Sequence, residues 1–187
     1  MRRRTVRLAT IAVVIGGVLV LGAGAAQAHP LGNFTINLYD GLAIQSHGID
    51  VDHVIDMAEI PAFQERPRID TDGDGQVGDD ESAAYVTRTC AAAANALVLS
   101  VDGTDIALHP GAAGSLALPP GAGGLSTLRI ECSLHAEVTI RPDVAIEFRD
   151  DADPGRIGWH EVAATGVGMT LASSDVPATS SSARLTA

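Results

Sequence analysis

Apolar and polar residues alternate with a period of two along most of the chain, the pattern of half-buried β-strands. Residues 33–45 keep one parity through Asp40-Gly41, so they predict one long strand and not a hairpin at that dipeptide. Ser46-His47-Gly48 then predicts a turn. Further strands are predicted at residues 49–57, 97–101, 106–108, 128–136, 144–148, 158–164 and 167–172. Many short strands separated by turns predict a mainly β fold, an immunoglobulin-like antiparallel sandwich.

Three stretches depart from this alternation. Residues 79–95 are rich in alanine and free of glycine and proline, which predicts a helix with acidic side chains at its start. Before residue 70, Pro61 and Pro67 leave room for only a short, interrupted helical turn. Residues 110–124 are rich in Gly, Pro and Ala and predict a loop.

The domain predicted from these segments is a β-sandwich over residues 29–172 with an insertion at about residues 60–95. Residues 173–187 are rich in Ser, Thr and Ala and have no clear period. They predict a linker or a truncated end.

Residues 70–81 match the twelve-residue calcium loop of an EF-hand, which makes Ca²⁺ the predicted cofactor. Gly75 stands where that loop turns sharply, and Gly78 at position 9 leaves that ligand to a water. The predicted ligands are carboxylates at positions 1, 3, 5 and 12 and a backbone carbonyl at position 7: Asp70, Asp72, Asp74, Glu81 and Gln76. The competing interpretation is a solvated acidic turn that holds no metal.

Only one such loop is present, whereas calcium sensors act through paired helices that open. We therefore expect an EF-hand-type loop that staples the fold and does not switch it.

The start of the chain has the form of a signal peptide. Four arginines precede an apolar run over residues 8–25, and Ala26-Gln27-Ala28 has the form of a signal-peptidase site. Residues 1–28 are therefore predicted to be removed and the protein to be exported to the outer face of the cell membrane. An uncleaved membrane anchor is the alternative, because the run approaches the length of a span.

Charge excludes one class of partner. Without residues 1–28, which hold four of the twelve Lys and Arg residues, the chain keeps eight basic against 23 acidic side chains, a net charge of −15. No basic stripe remains to neutralise phosphates, so nucleic acid is not an expected partner.

Cys90 and Cys132 are the two cysteines of the chain, and in an exported protein they predict a disulfide. No CxxC spacing supports the other interpretation, a metal-binding or catalytic cysteine.

His29 would become the amino terminus after cleavage and could chelate a transition metal through its amine and one ring nitrogen. The remaining histidines are dispersed, with no HxH or HxxxH pair. Among them, His53 falls on the apolar parity of its strand and is interpreted as a core histidine.

Catalytic motifs are missing from the sequence. It holds no GxSxG, no HExxH and no phosphate-binding glycine loop, and we expect a protein that is not an enzyme.

Five segments together resemble the extracytoplasmic N-terminal domain of actinobacterial nickel/cobalt transporter family proteins. They are His29–Asn37, Asp56–Pro61, the DxDGDG loop, Leu128–Cys132 and Gly155–Trp159. The resemblance implies an accessory or metal-presenting ectodomain of a membrane transporter, with Ni²⁺ or Co²⁺ as its ion. The five segments hold no residue of a membrane-spanning transport pathway, so no transport residue is carried over.

A second hypothesis is a stand-alone, calcium-stabilised extracellular module that binds a protein or a glycan. A reading frame that continues past Ala187 into apolar helices would favour the transporter ectodomain, and a stop codon would favour the module.

Overall fold

The computed structural model describes residues 32–152 and 156–186, and in those ranges the protein is mainly β, as predicted. They contain two α-helices, α1 (Glu59–Ile69) and α2 (Asp79–Ala96). The strands are β1 (Ile36–Gln45), β2 (Gly48–Met57), β3 (Leu97–Val101), β4 (Thr104–Asp105), β5 (His109–Ala117), β6 (Leu128–Glu137), β7 (Ile146–Asp150) and β8 (His160–Gly166).

The strands form two sheets. One has the order β5-β6-β2-β1-β8 and the other the order β4-β3-β7. Strands β1 and β2 pair along their full length, from Ile36 opposite Met57 to Gln45 opposite Gly48, which confirms one long strand and the turn after it. Strand β8 pairs with β1 in parallel. The large sheet is therefore mixed, and the prediction of antiparallel pairing throughout was wrong at this edge.

The main core lies on the face of the large sheet that carries Leu42 and Val51. Ile49 and Ile130 from the large sheet are fully buried there, and Leu99 from the small sheet joins the same cluster. Because side chains alternate between the two faces of a strand, the parity read from the sequence correctly assigned which residues of β1, β2 and β6 face this core.

Helix α1 is longer than the interrupted turn predicted from its prolines. Pro61 lies in the first turn, where backbone N–H groups have no partner within the helix, so its missing N–H removes no hydrogen bond there. Pro67 lies inside the last turn and removes one bond. Burial of Ala62 and Ile69 holds the helix against the core and outweighs that loss. Helix α2 forms where it was predicted.

Strand β5 occupies residues that were predicted as a loop. It pairs with β6, with a break in register between Pro110 and Gly114. Helix α2 crosses this strand so closely that a Cβ built on Gly114 would lie 2.7 Å from Val86 Cγ1. Small residues in β5 therefore allow α2 to pack closely against the strand. Their composition alone had suggested a loop.

Of the last two predicted strands, at residues 158–164 and 167–172, only the first is confirmed. Strand β8 forms, but residues 167–172 are not a strand. Beyond them the chain returns to the sheet, where Ala164 N–H donates to Pro177 O at 3.0 Å. Leu185 then packs against Tyr39, Val54 and Ala163 on the face opposite the main core.

Helices that could cross a membrane are not found in residues 32–152 and 156–186, since neither helix there is both long and apolar enough.

Candidate functional site: the acidic loop between the two helices

Residues 70–78 connect α1 to α2 at the surface, and both ends of this connection are anchored. Ile69, the last residue of α1, is fully buried, and Val77 packs against the main core. The Tyr85 O–H of α2 donates to Glu65 Oε1 of α1 at 2.8 Å. The loop therefore closes a gap between two helices that packing already fixes.

The aspartates at positions 1, 3 and 5 fold the loop around their own carboxylates. Asp70 accepts the N–H groups of Gly73 at 2.8 Å and Gly75 at 2.9 Å. Asp72 Oδ1 accepts the N–H of Asp74 at 3.1 Å. Side-chain oxygens of this kind make compact Asx turns and bring the carboxylates inward.

Together these turns bring three carboxylates to one point. One oxygen from each of Asp70, Asp72 and Asp74 lies within 4.8 Å of the other two. Gly75 has φ +83°, the left-handed conformation that its position was predicted to need. Gly73 has φ +74° as well, a requirement that the sequence analysis did not identify.

Glu81 reaches back from the first turn of α2. Its Oε1 accepts the N–H of Thr71 at 2.6 Å, and its Oε2 accepts the N–H of Gly78 at 3.0 Å. The hydrogen bond from Gly78, followed by that from Thr71, lowers the pKa of Glu81 and keeps it ionised. Position 12 therefore presents both carboxylate oxygens to the loop.

Gln76 donates its N–H to Asp74 Oδ1 at 2.7 Å and so belongs to the same folded loop. Arg66 Nη2 of α1 donates to Gly75 O at 2.7 Å, a contact that ties the loop to the preceding helix. Three of the predicted ligands, the carboxylates of Asp70, Asp72 and Asp74, thus converge in the loop, and Glu81 contacts the loop from α2. Hard oxygen donors of this kind suit Ca²⁺.

His29 and the signal peptide predicted at residues 1–28 lie outside the described residues.

The predicted disulfide between Cys90 and Cys132 is confirmed. It joins α2 to the core face of β6, and it indicates a non-reducing environment of the kind found outside the cell. Export itself stays a prediction.

A second group of polar side chains was not predicted from the sequence. His53 is buried in the core, as interpreted, and its Nδ1 lies 2.7 Å from Asp40 Oδ1 on the neighbouring strand. Asp150, about 100 residues further along the chain, completes a cluster with these two residues. Only the register of β1 with β2 and the position of β7 bring them together, so no local motif could have revealed the cluster.

Comparison of this chain with protein-family models, with curated proteins and with solved structures found no match.

Proposed function

We propose that residues 70–81 bind Ca²⁺ and that the ion staples α1 to α2 in an exported domain. The convergence of three aspartate carboxylates on one point carries this proposal. Glu81 supports it, because its two oxygens already face the loop from α2. The ligand pattern is that of an EF-hand loop.

Fixed helices support a structural role over a sensor role. A calcium sensor works by changing the angle between the helices that flank its loop. Here α2 is covalently joined to β6 through Cys90, and α1 is anchored by the buried Ile69. Calcium binding would therefore lower the free energy of the folded protein without opening a surface.

The test is thermal unfolding of the full disulfide-bonded chain with about 10 mM Ca²⁺ and with a chelator. An extracellular module that binds at roughly 10⁻⁴–10⁻³ M gains about 1–3 kcal/mol under these conditions. Asp70→Ala and Glu81→Ala should each remove that gain. Asp80→Ala is the matched control, since Asp80 lies in the same segment at a position that supplies no ligand. A melting temperature that is the same in calcium and in chelator would overturn the proposal.

For the role of the whole domain, we propose an ectodomain associated with a nickel/cobalt membrane transporter. The sequence resemblance supports this role, and the disulfide supports a location outside the cytoplasm. The alternative is a stand-alone module that binds a protein or a glycan. The coding sequence downstream of Ala187 separates the two, because apolar helices in the same frame support the first and a stop codon supports the second.

An immunoglobulin-like character of the sandwich also stays a proposal. Two sheets that share one apolar core support it. The parallel pairing of β1 with β8 departs from the antiparallel sheets of an immunoglobulin sandwich.

A further inference from the structure

Asp40, His53 and Asp150 form a polar cluster in which the first two residues are buried and Asp150 is half-buried. His53 is 0% exposed and Asp40 is 2% exposed. The donor atoms that the three side chains offer lie within 4.8 Å of one another. Buried charged groups are costly unless each is paired, so a cluster of two carboxylates and an imidazole at this depth needs a physical reason.

The imidazole of His53 uses only one of its two nitrogens. Nδ1 lies 2.7 Å from Asp40 Oδ1, whereas Nε2 is buried and has no hydrogen-bond partner among the described residues. A buried polar atom left in this way normally costs about 1–3 kcal/mol. An apolar side chain in place of His53 would avoid this cost. The presence of the histidine therefore points to a ligand at Nε2.

Asp150 offers the complementary atom. Its Oδ1 accepts the N–H of Ala152 at 2.7 Å, but its Oδ2 is buried without a partner within residues 32–152 and 156–186. One imidazole nitrogen and one carboxylate oxygen thus remain unpaired in the same cluster. Both atoms can donate a lone pair to a metal ion.

The charge balance of the cluster favours a dication. A divalent cation placed among the three side chains would offset the charge of two buried or half-buried carboxylates. The cation would also bind the lone pairs of His53 Nε2 and Asp150 Oδ2, which have no hydrogen-bond partner among the described residues.

The geometry points to a second metal site, in which His53 Nε2 and Asp150 Oδ2 ligate a borderline divalent transition-metal ion of the Zn²⁺ class. Asp40 is the carboxylate on the other ring nitrogen, an arrangement that fixes the tautomer of metal-binding histidines and raises their basicity. Two ligands that bind one such ion at about 2.0–2.2 Å stand roughly 3.5 Å apart. One ligand atom from each of the three side chains lies within 4.8 Å of the other two. Imidazole with carboxylate selects this class, whereas the all-oxygen loop at residues 70–81 suits Ca²⁺.

The experiment measures Zn²⁺ binding by the full chain in saturating Ca²⁺, so that residues 70–81 do not compete. A His29→Ala background removes the candidate site at the amino terminus. Equilibrium dialysis with metal analysis should find about one Zn²⁺ per chain. Co²⁺, used as a spectroscopic substitute, should give visible absorption bands that change when a nitrogen ligand is lost.

Three variants decide the assignment. Asp150→Asn should weaken Zn²⁺ binding at least tenfold, and Asp40→Asn, which acts through His53, by about 10–100-fold. His53→Gln should abolish the Co²⁺ bands. If His53→Gln fails to fold, the Asp150→Asn variant, at a half-buried position, still tests the assignment.

His135→Gln is the matched control, because His135 Nδ1 lies 2.6 Å from Asp50 Oδ1 in a similar pair at the surface. It should bind Zn²⁺ like the parent. Absence of bound Zn²⁺ in the parent, or binding by Asp150→Asn equal to that of the parent, would overturn the proposal.

Discussion

Cys90, near the middle of α2, is bonded to Cys132 in β6, and Cys132 stands opposite His53 of β2. The bond closes a separation of 42 residues that includes all of β3, β4 and β5. It therefore fixes the helix that follows the acidic loop onto the centre of the large sheet.

Removing this disulfide should destabilise the protein without changing its fold. The chain-entropy model gives about 3–4 kcal/mol for a loop of this length. We expect the double variant Cys90→Ala/Cys132→Ala to unfold at a correspondingly lower urea concentration than the oxidised parent. Urea titration followed by circular dichroism measures this difference. An unchanged midpoint would show that the bond contributes nothing to stability.

Gly75 should be required for its backbone conformation alone. A Cβ at this position would meet no atom within 4 Å, but φ is +83°. Gly75→Ala should therefore destabilise the protein by about 1 kcal/mol or more and weaken Ca²⁺ binding.

Gly78 supplies the control in the same loop, because its φ is −75° and alanine fits there. Calorimetric unfolding of both variants, with and without Ca²⁺, gives the comparison. Equal effects of the two substitutions would contradict the conformational argument.

The acidic loop and the core-facing strands could be predicted because their signals are local. Twelve consecutive residues specify the loop, and alternation within β1, β2 and β6 specifies which side chains are buried. Turn chemistry at Ser46-His47 marked the hairpin for the same reason.

The failures involve contacts between distant segments. Gly114 lies in a strand where Val86 of α2 leaves no room for a larger side chain, whereas the composition around it suggested a loop. Asp150 joins His53 only through the meeting of two sheets. Pro67 is tolerated because tertiary burial of Ile69 compensates the lost hydrogen bond. Each of these depends on packing that a window of sequence does not contain.

Gly114→Ala should destabilise the protein through overpacking. The added methyl group would lie 2.7 Å from Val86 Cγ1, and valine in a helix has little rotamer freedom to move away. The expected cost is about 1–3 kcal/mol.

Two further variants test the cause. Combining Gly114→Ala with Val86→Ala should recover part of the loss, and Ala113→Ser on the exposed neighbouring position should have little effect. Denaturant unfolding of the parent and four variants, including Val86→Ala alone, checks this. If the free energy of unfolding of the double variant equals or falls below the value expected from the sum of the two single effects, the clash is contradicted.

Glu161 should make attachment of the tail depend on pH. Burial would raise the pKa of Glu161, but hydrogen bonds from the Ser182 hydroxyl and from the backbone and side chain of Ser181 outweigh it, and the pKa is lowered. A carboxylate with a lowered pKa in the folded state stabilises at pH values above its unfolded pKa of about 4.3. That contribution is lost as the pH falls through the lowered value.

Hydrogen exchange of residues 174–186 measures this release. Protection of the Ser181 amide should be high at pH 7 and should fall below about pH 4, after correction for the intrinsic exchange rate. Glu161→Gln should lose protection at pH 7 already, whereas Glu137→Gln, at the exposed end of β6, should behave like the parent. Protection that does not change between pH 7 and pH 3 would refute the role of Glu161.

His29 should bind nickel only if cleavage after Ala28 makes it the amino terminus. Its amine and ring nitrogen would then form one chelate, and the acidic surface would raise the local concentration of cations. Affinity should fall as the pH drops through roughly 8 to 6, because protons compete for both nitrogens. Isothermal titration of Ni²⁺ into the processed protein and into His29→Ala measures the difference, with Ca²⁺ present throughout. His47→Ala, in the exposed turn after β1, is the control and should bind like the parent. Equal Ni²⁺ binding by the parent and His29→Ala, or binding by neither, would contradict the prediction that the amino terminus presents metal.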